Sequence, residues 1–143
     1  MSVIAWDGKV VASDRQSTAG GMAVMAKKIW RLDSGGVIAI AGHLERGLLR
    51  VRWYRAGAKP ALWPRFEGET ELTMVVFERG RVYEFEEEPV AIQVLAKKMA
   101  WGSGTDFAMG AMEAGADAAK AVRIASKYDI YSGLGVNVLK LPD

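Results

Sequence analysis

Apolar and polar positions alternate along this chain in short stretches, and in three places the period lengthens from two to about 3.6. Residues 3–6 and 9–12 are apolar runs on either side of Asp7-Gly8, a tight-hairpin dipeptide. Residues 14–21 are polar and glycine-rich, which predicts a loop. Residues 27–32 alternate as a strand, placing Lys28 on one face with Trp30 and Leu32. After a turn, the β-branched run 37–41 reads as a strand buried on both faces and ended by Gly42. Leu44, Leu48 and Val51, with Leu49 and Trp53 offset, predict a helix over 43–56 with Gly57 beyond its end. Residues 59–64 carry Pro60 and Pro64 and are irregular. Residues 72–77 and 81–85 form a second hairpin across Glu78-Arg79-Gly80, and the mixed stretch 89–101 ends in a strand. Gly102-Ser103-Gly104 turns into a helix over 105–114, Asp117 caps another over 118–127, 128–135 is loop, and 136–141 is a last strand. This order argues for an α+β fold with antiparallel sheets and layered helices. Without a linker, repeat or low-complexity tract, residues 1–143 read as one domain.

Composition narrows the chemistry. The chain has no cysteine and one histidine, His43, which removes thiol nucleophiles, disulfide scaffolds and His-His metal motifs. Nineteen Lys and Arg against 17 Asp and Glu leave +2, too small a charge to suggest a nucleic acid or membrane surface as partner. No apolar run approaches the ~20 residues of a membrane span, and no charged-then-apolar leader opens the sequence. The expectation is a soluble, cytoplasmic protein that needs no membrane.

Phosphate-binding signatures are incomplete: neither Gly102-Ser103-Gly104 nor Gly133-Leu134-Gly135 is followed by the third glycine of a dinucleotide fingerprint, and no P-loop exists. Arg46, Arg50, Arg52, Arg55, Lys59 and Arg65, interleaved with Trp53 and Tyr54, oppose a single acid, Glu45. That pattern suits a nucleic-acid-binding module. It equally suits a solvated face, or one that meets the acidic set Glu84, Glu86, Glu87 and Glu88 of a neighbouring copy. His43, at a strand-to-helix junction, is either a catalytic base or a helix-start residue.

The N-terminus carries a further constellation. A methionine before serine is normally removed, and its loss would leave Ser2 with a hydroxyl nucleophile and its own base. An α-amine has a pKa of about 7.7–8.0, close to working pH, and a nearby ammonium lowers it by like-charge repulsion.

The company Ser2 keeps resembles the proteasome β-type and HslV-like family of N-terminal-nucleophile hydrolases. Asp7-Gly8-Lys9-Val10-Val11-Ala12-Ser13-Asp14-Arg15-Gln16 is similar to the family's first hairpin and the Asp that follows it. The 27–32 strand is similar to its lysine strand, and Ala41-Gly42 to its oxyanion glycine. Trp101-Gly102-Ser103-Gly104, the Ala/Gly-rich helix, Asp117 to Val122 and Tyr128-Asp129-Ile130-Tyr131-Ser132-Gly133 are similar to its closing segment. The opening is nearest to a short phage and bacterial branch. The resemblance covers about residues 2–42 and 98–141; the middle matches poorly and implies a trimmed helical layer.

The resemblance implies a four-layer αββα sandwich of two antiparallel sheets. It implies a peptidase acting on peptides or unfolded proteins, with no metal or organic cofactor, in a homo-oligomeric ring served by an ATP-dependent unfoldase. Ser2 would be the nucleophile, Lys28 would tune its amine, Asp14 would pair with Lys28, and the Gly42 N–H would bind the oxyanion. Ser103, Asp129 and Ser132 would orient the amine and relay protons. Serine stands where the family usually has threonine, which keeps the hydroxyl but loses the methyl that fixes its rotamer. Two other readings stay open. Asp14 and Lys28 could be a salt bridge under a loop, with Ser103 and Ser132 as turn serines. The whole chain could be a catalytically silent ring or scaffold protein of the same fold.

Overall fold

A computed structural model of the chain describes residues 2–143. The first hairpin pairs β1 (Ile4–Trp6) with β2 (Val10–Asp14), and β1 also pairs with β10 (Met99–Trp101) and β2 with β11 (Val136–Lys140). This four-stranded sheet has the order β10-β1-β2-β11. The second sheet runs β5 (Ile29–Arg31), β6 (Val37–Gly42), β7 (Leu72–Glu78), β8 (Arg81–Phe85) and β9 (Ile92–Gln93), all antiparallel. The β7–β8 turn has φ of 54° at Arg79 and 75° at Gly80, as a two-residue hairpin turn of this hand requires.

Strand alternation builds the layers. Val3 and Ala5 face one way and pack with Ala12 and Ala100 against α2 (Thr105–Glu113) and α3 (Ala118–Tyr128). Ile4 faces the other way, joining Val11, Val37, Ala39, Ala41, Val75 and Phe77 between the two sheets. From the second sheet, Ile38, Ile40, Met74 and Val76 point outward to α1 (Leu44–Arg55) and to a short 3-10 turn at Pro60–Leu62 with the residues that follow it. Helix, sheet, sheet, helix is the αββα sandwich expected. The alanines of the α2–α3 layer let the helices approach the sheet closely, and the apolar run in β6 is needed because both its faces are covered. Among the described residues, the layer outside the five-stranded sheet holds α1 as its one α-helix, in keeping with the trimmed layer that the resemblance implied.

One expectation fails. Residues 14–21 are not loop: Asp14 closes β2, and β3 (Gln16–Ala19) pairs with β4 (Met22–Met25) as a separate two-stranded ribbon. Most of its residues are exposed, Met22, Val24 and Met25 included, so it carries no hydrophobic alternation to read. Its base is fixed by backbone bonds from Arg15 N to the Gly133 carbonyl and from Ala26 N to the Arg15 carbonyl. No helix among the described residues is long and apolar enough to cross a membrane.

Candidate active site

The topology gathers several chain positions at one end of the sandwich. β1 begins there, β2 and β10 end there, and the start of β5 pairs with the end of β6 through Ile40 N to the Lys28 carbonyl, 3.0 Å. Ser2, Asp14, Lys28, Gly42 and Ser103 each lie at or beside one of these strand ends, and Asp129 caps the C-terminus of α3. Expected removal of Met1 concerns a residue outside those described.

Asp14 is the hub. It is fully buried, and its two oxygens accept four hydrogen bonds: Oδ1 from Lys28 Nζ (2.9 Å) and Val3 N (3.1 Å), Oδ2 from Gln16 N and Gly133 N (3.1 Å each). The lysine side chain is 4% exposed. Burial pushes its ammonium below the usual lysine range, opposed by the charges of Asp14 and, further off, Asp129. The pairing implied by resemblance is therefore present. Trp30 and Leu32 face the α1 layer and Ile29 the inter-sheet core, while Lys28 lies just ahead of the strand and its ammonium turns to Asp14 at the end of β2.

A second group sits on Ser2. Its N donates to Ser103 Oγ (3.1 Å), and Ser103 Oγ in turn lies 2.6 Å from Asp129 Oδ2, to which it donates. Ser132 Oγ donates to the same Asp129 oxygen at 2.6 Å. The Ser2 carbonyl accepts from Gly104 N at 3.1 Å. Ser2 is fully buried, and its Oγ has no hydrogen-bond partner. A buried hydroxyl without a partner is costly, so its presence next to two ordered polar groups is informative.

Gly42 and Gly102 permit the close approach. Gly42 has φ of 120°, and a Cβ there would collide with the Glu71 carbonyl oxygen. Gly102 has φ of 100°; a Cβ would strike the Ser2 carbonyl and lie 3.5 Å from the Ala41 methyl, so Ser2 backs onto the end of β6. Replacing Gly102 by alanine should cost at least about 1 kcal/mol from the backbone conformation alone. Thermal unfolding should show a lowered Tm; an unchanged Tm would contradict this packing of Gly102 on Ser2.

Sequence reasoning missed Gln16 and Gly133. Gln16 Nε2 donates to the Ile130 carbonyl at 3.1 Å, and Gly133 N bonds Asp14, so both tie the 129–133 loop to the hub. Nothing local marks them, because their partners lie more than a hundred residues away in sequence.

His43 is a helix-start residue: its Nδ1 accepts from Arg46 N at 3.3 Å as the N-cap of α1. The basic helix also resolves. Arg50 is buried, donates to the Glu86 carbonyl (2.6 Å), and lies 4.3 Å from the Trp63 ring centroid. Arg65 forms a two-bond pair with Glu88, Arg46 donates to Thr70, and Arg55 to the Arg31 carbonyl. Trp53 is buried, edge-on to Trp63. Of the acidic set, the Glu88 carboxylate meets Arg65 and the Glu86 carbonyl meets Arg50 within one chain, while Glu84 accepts from Trp101 Nε1 at 2.7 Å. The aromatics belong to the core, which removes the basis for a nucleic-acid interface here. Among the described residues, no group of three or more histidine, aspartate or glutamate side chains is placed to hold a metal ion.

No family model matches the chain. It is 28% identical, over an alignment of 177 residues, to proteasome subunit beta 1 of Pyrobaculum calidifontis, with 99% of this chain and 88% of that protein covered. Its fold is similar to that of Thiobacillus denitrificans BPH in complex with epoxomicin, at a TM-score of 0.74 and 20% identity, both chains covered in full. It is also similar to HslV from Trypanosoma brucei, at a TM-score of 0.73 and 24% identity over 99% of each chain.

Proposed function

We propose that the chain, similar to proteasome β-type and HslV-like proteins, belongs to that family of N-terminal-nucleophile hydrolases and is a peptidase whose nucleophile is Ser2. The observation that carries this is the unpartnered, buried Ser2 Oγ beside a backbone nitrogen held by Ser103 and Asp129, one residue from the Asp14–Lys28 pair. With residue 1 removed, that nitrogen becomes an α-amine. In acylation, the amine takes the Ser2 hydroxyl proton while Oγ bonds to the substrate carbonyl carbon. The oxyanion is stabilised by the Gly42 N–H, a class of donor worth ~2.7–4 kcal/mol. The C–N bond then breaks and the leaving amine carries off the proton. Water, deprotonated by the same amine, attacks the ester; the peptide acid leaves and Oγ regains its proton. Lys28 stays charged against Asp14, lowers the affinity of the α-amine for a proton, and so keeps the base free. Ser103 and Ser132, both on Asp129, hold the amine in line.

In this reading the substrates are peptides or unfolded proteins, and the chain works in the cytoplasm as a homo-oligomeric ring with an ATP-dependent unfoldase as partner. The chemistry needs no metal or organic cofactor. The reagent for a test is a peptide epoxyketone, which closes a ring on both the free amine and the hydroxyl of an N-terminal serine or threonine. A neighbour of the same fold is described in complex with epoxomicin. Intact mass of bacterially made protein should show loss of Met1 and one adduct per chain, with none on Ser2→Ala. Retention of Met1 without an adduct would transfer the weight to a catalytically silent scaffold.

A further inference from the structure

A small cavity of about 90 Å³ lies beside Lys28 and Gly42, walled by Thr18 of β3, Ile40 of β6, and His43 and Leu44 at the start of α1. Its position next to the Gly42 backbone is where the side chain of a substrate residue would lodge if that residue's carbonyl pointed at the Gly42 N–H. Its size decides much of what enters. An apolar cavity of about 150 Å³ accommodates benzene, and a water occupies about 30 Å³ of liquid, so this one suits about three heavy atoms. An aromatic ring is too large for it.

Charge leaves the choice to size. The one ammonium on the wall, Lys28 Nζ, is already held by Asp14 at 2.9 Å. It is therefore neutralised and offers no unmatched charge, either to attract an acidic side chain or to repel a basic one, so size decides against long basic side chains as it does against aromatic ones. Ile40 and Leu44 supply apolar contact, and Gln16, Ser17 and Thr18 line the polar side. His43 Nδ1 is committed to the helix cap.

We infer that the enzyme, if Ser2 attacks peptides as proposed above, cleaves after short or β-branched side chains such as alanine, valine and threonine. Aromatic and long basic residues are rejected at that position. Leu44 sets the limit at the α1 side: it is half-buried and plays no part in the chemistry.

The test measures labelling rates with two tripeptide epoxyketones that differ only in valine or phenylalanine next to the warhead, supported by fluorogenic peptides ending in alanine, valine, phenylalanine or arginine. Misfitting groups in apolar pockets are discriminated by about tenfold to two-hundredfold. The valine probe and the alanine and valine peptides should therefore lead by at least about tenfold, and Leu44→Ala should close the gap by speeding the phenylalanine probe. Equal or faster reaction with phenylalanine on the unaltered chain would overturn the inference and leave the peptidase reading standing. Absence of any labelling or cleavage would overturn the peptidase reading, and this inference with it.

Discussion

Replacing Lys28 by alanine is expected to lower kcat/KM for a cleaved peptide by about two to four orders of magnitude, the usual span for a lost acid–base contribution. The fold should survive. Asp14 would keep three backbone donors, from Val3, Gln16 and Gly133, so its carboxylate is not stranded. The ammonium is what disappears, and with it the field that, in the proposed mechanism, would keep the Ser2 α-amine unprotonated. Lys28→Met sharpens the test because it keeps most of the buried stem's packing. It should unfold closer to the unaltered chain than Lys28→Ala does, yet be as inactive. A shift of the activity profile to higher pH in either variant would report the α-amine regaining its ordinary affinity for protons. Arginine should not rescue: the pocket holds a compact ammonium at 2.9 Å from one carboxylate oxygen, and a planar guanidinium does not fit that geometry. Full activity in Lys28→Ala would remove Lys28 from the mechanism.

What could be read from the sequence follows the range of each interaction. The first hairpin was legible because Asp7-Gly8 acts locally: Asp7 Oδ1 accepts from Lys9 N and Val10 N, both at 2.9 Å. The other oxygen of the same carboxylate accepts from Ala118 N at 2.9 Å, joining the turn to the start of α3, and no pattern near residue 7 announces it. Helix ends were legible where a side chain caps its own turn, as Asp117 does for Lys120 N at 2.8 Å. The β3–β4 ribbon was not, because a strand pair exposed on both faces has no reason to alternate. The arginines of α1 misled for a related reason. A count of local charge cannot show that residues 84–88 fold back over the helix, or that Arg50 lies against Trp63 instead of in water. The candidate site combines both cases. Periodicity placed Lys28 on a covered face, and a buried lysine demands a partner. Which acid would answer came from family resemblance, and the geometry then put Asp14 in that place. Ser103, Asp129 and Ser132 came from resemblance alone; that they share one carboxylate oxygen is visible only in three dimensions.

Asp14→Ala should be the most destabilising single change at this end of the molecule. Removing one member of a buried ion pair costs roughly 3–5 kcal/mol, which for a chain of this size lowers Tm by roughly 6–20 °C. Here the loss strands more than the ammonium. Val3 N lies just ahead of β1, Gln16 N opens β3 and Gly133 N lies in the loop after α3, and all three would face a void. Asparagine does not repair the site. One of its two side-chain positions becomes an NH₂ group, and each position of the native carboxylate receives two donors. An amide turned either way therefore points a donor at two others: Gln16 N with Gly133 N, or Lys28 Nζ with Val3 N. Asp14→Asn should accordingly fall close to Asp14→Ala in a denaturation midpoint, and a Tm within about 2 °C of the unaltered chain, less than the shift of 1 kcal/mol, would contradict the hub. The stability loss has a functional counterpart, because Gly133 N and Gln16 anchor the loop that carries Asp129 and Ser132. Hydrogen exchange in residues 129–133 should accelerate in Asp14→Asn at temperatures where the rest of the sheet remains protected. Lys28→Met, which leaves those three backbone bonds in place, should show no such local opening, and that contrast separates the part Asp14 plays in holding the loop from the part proposed for the ammonium in tuning the amine.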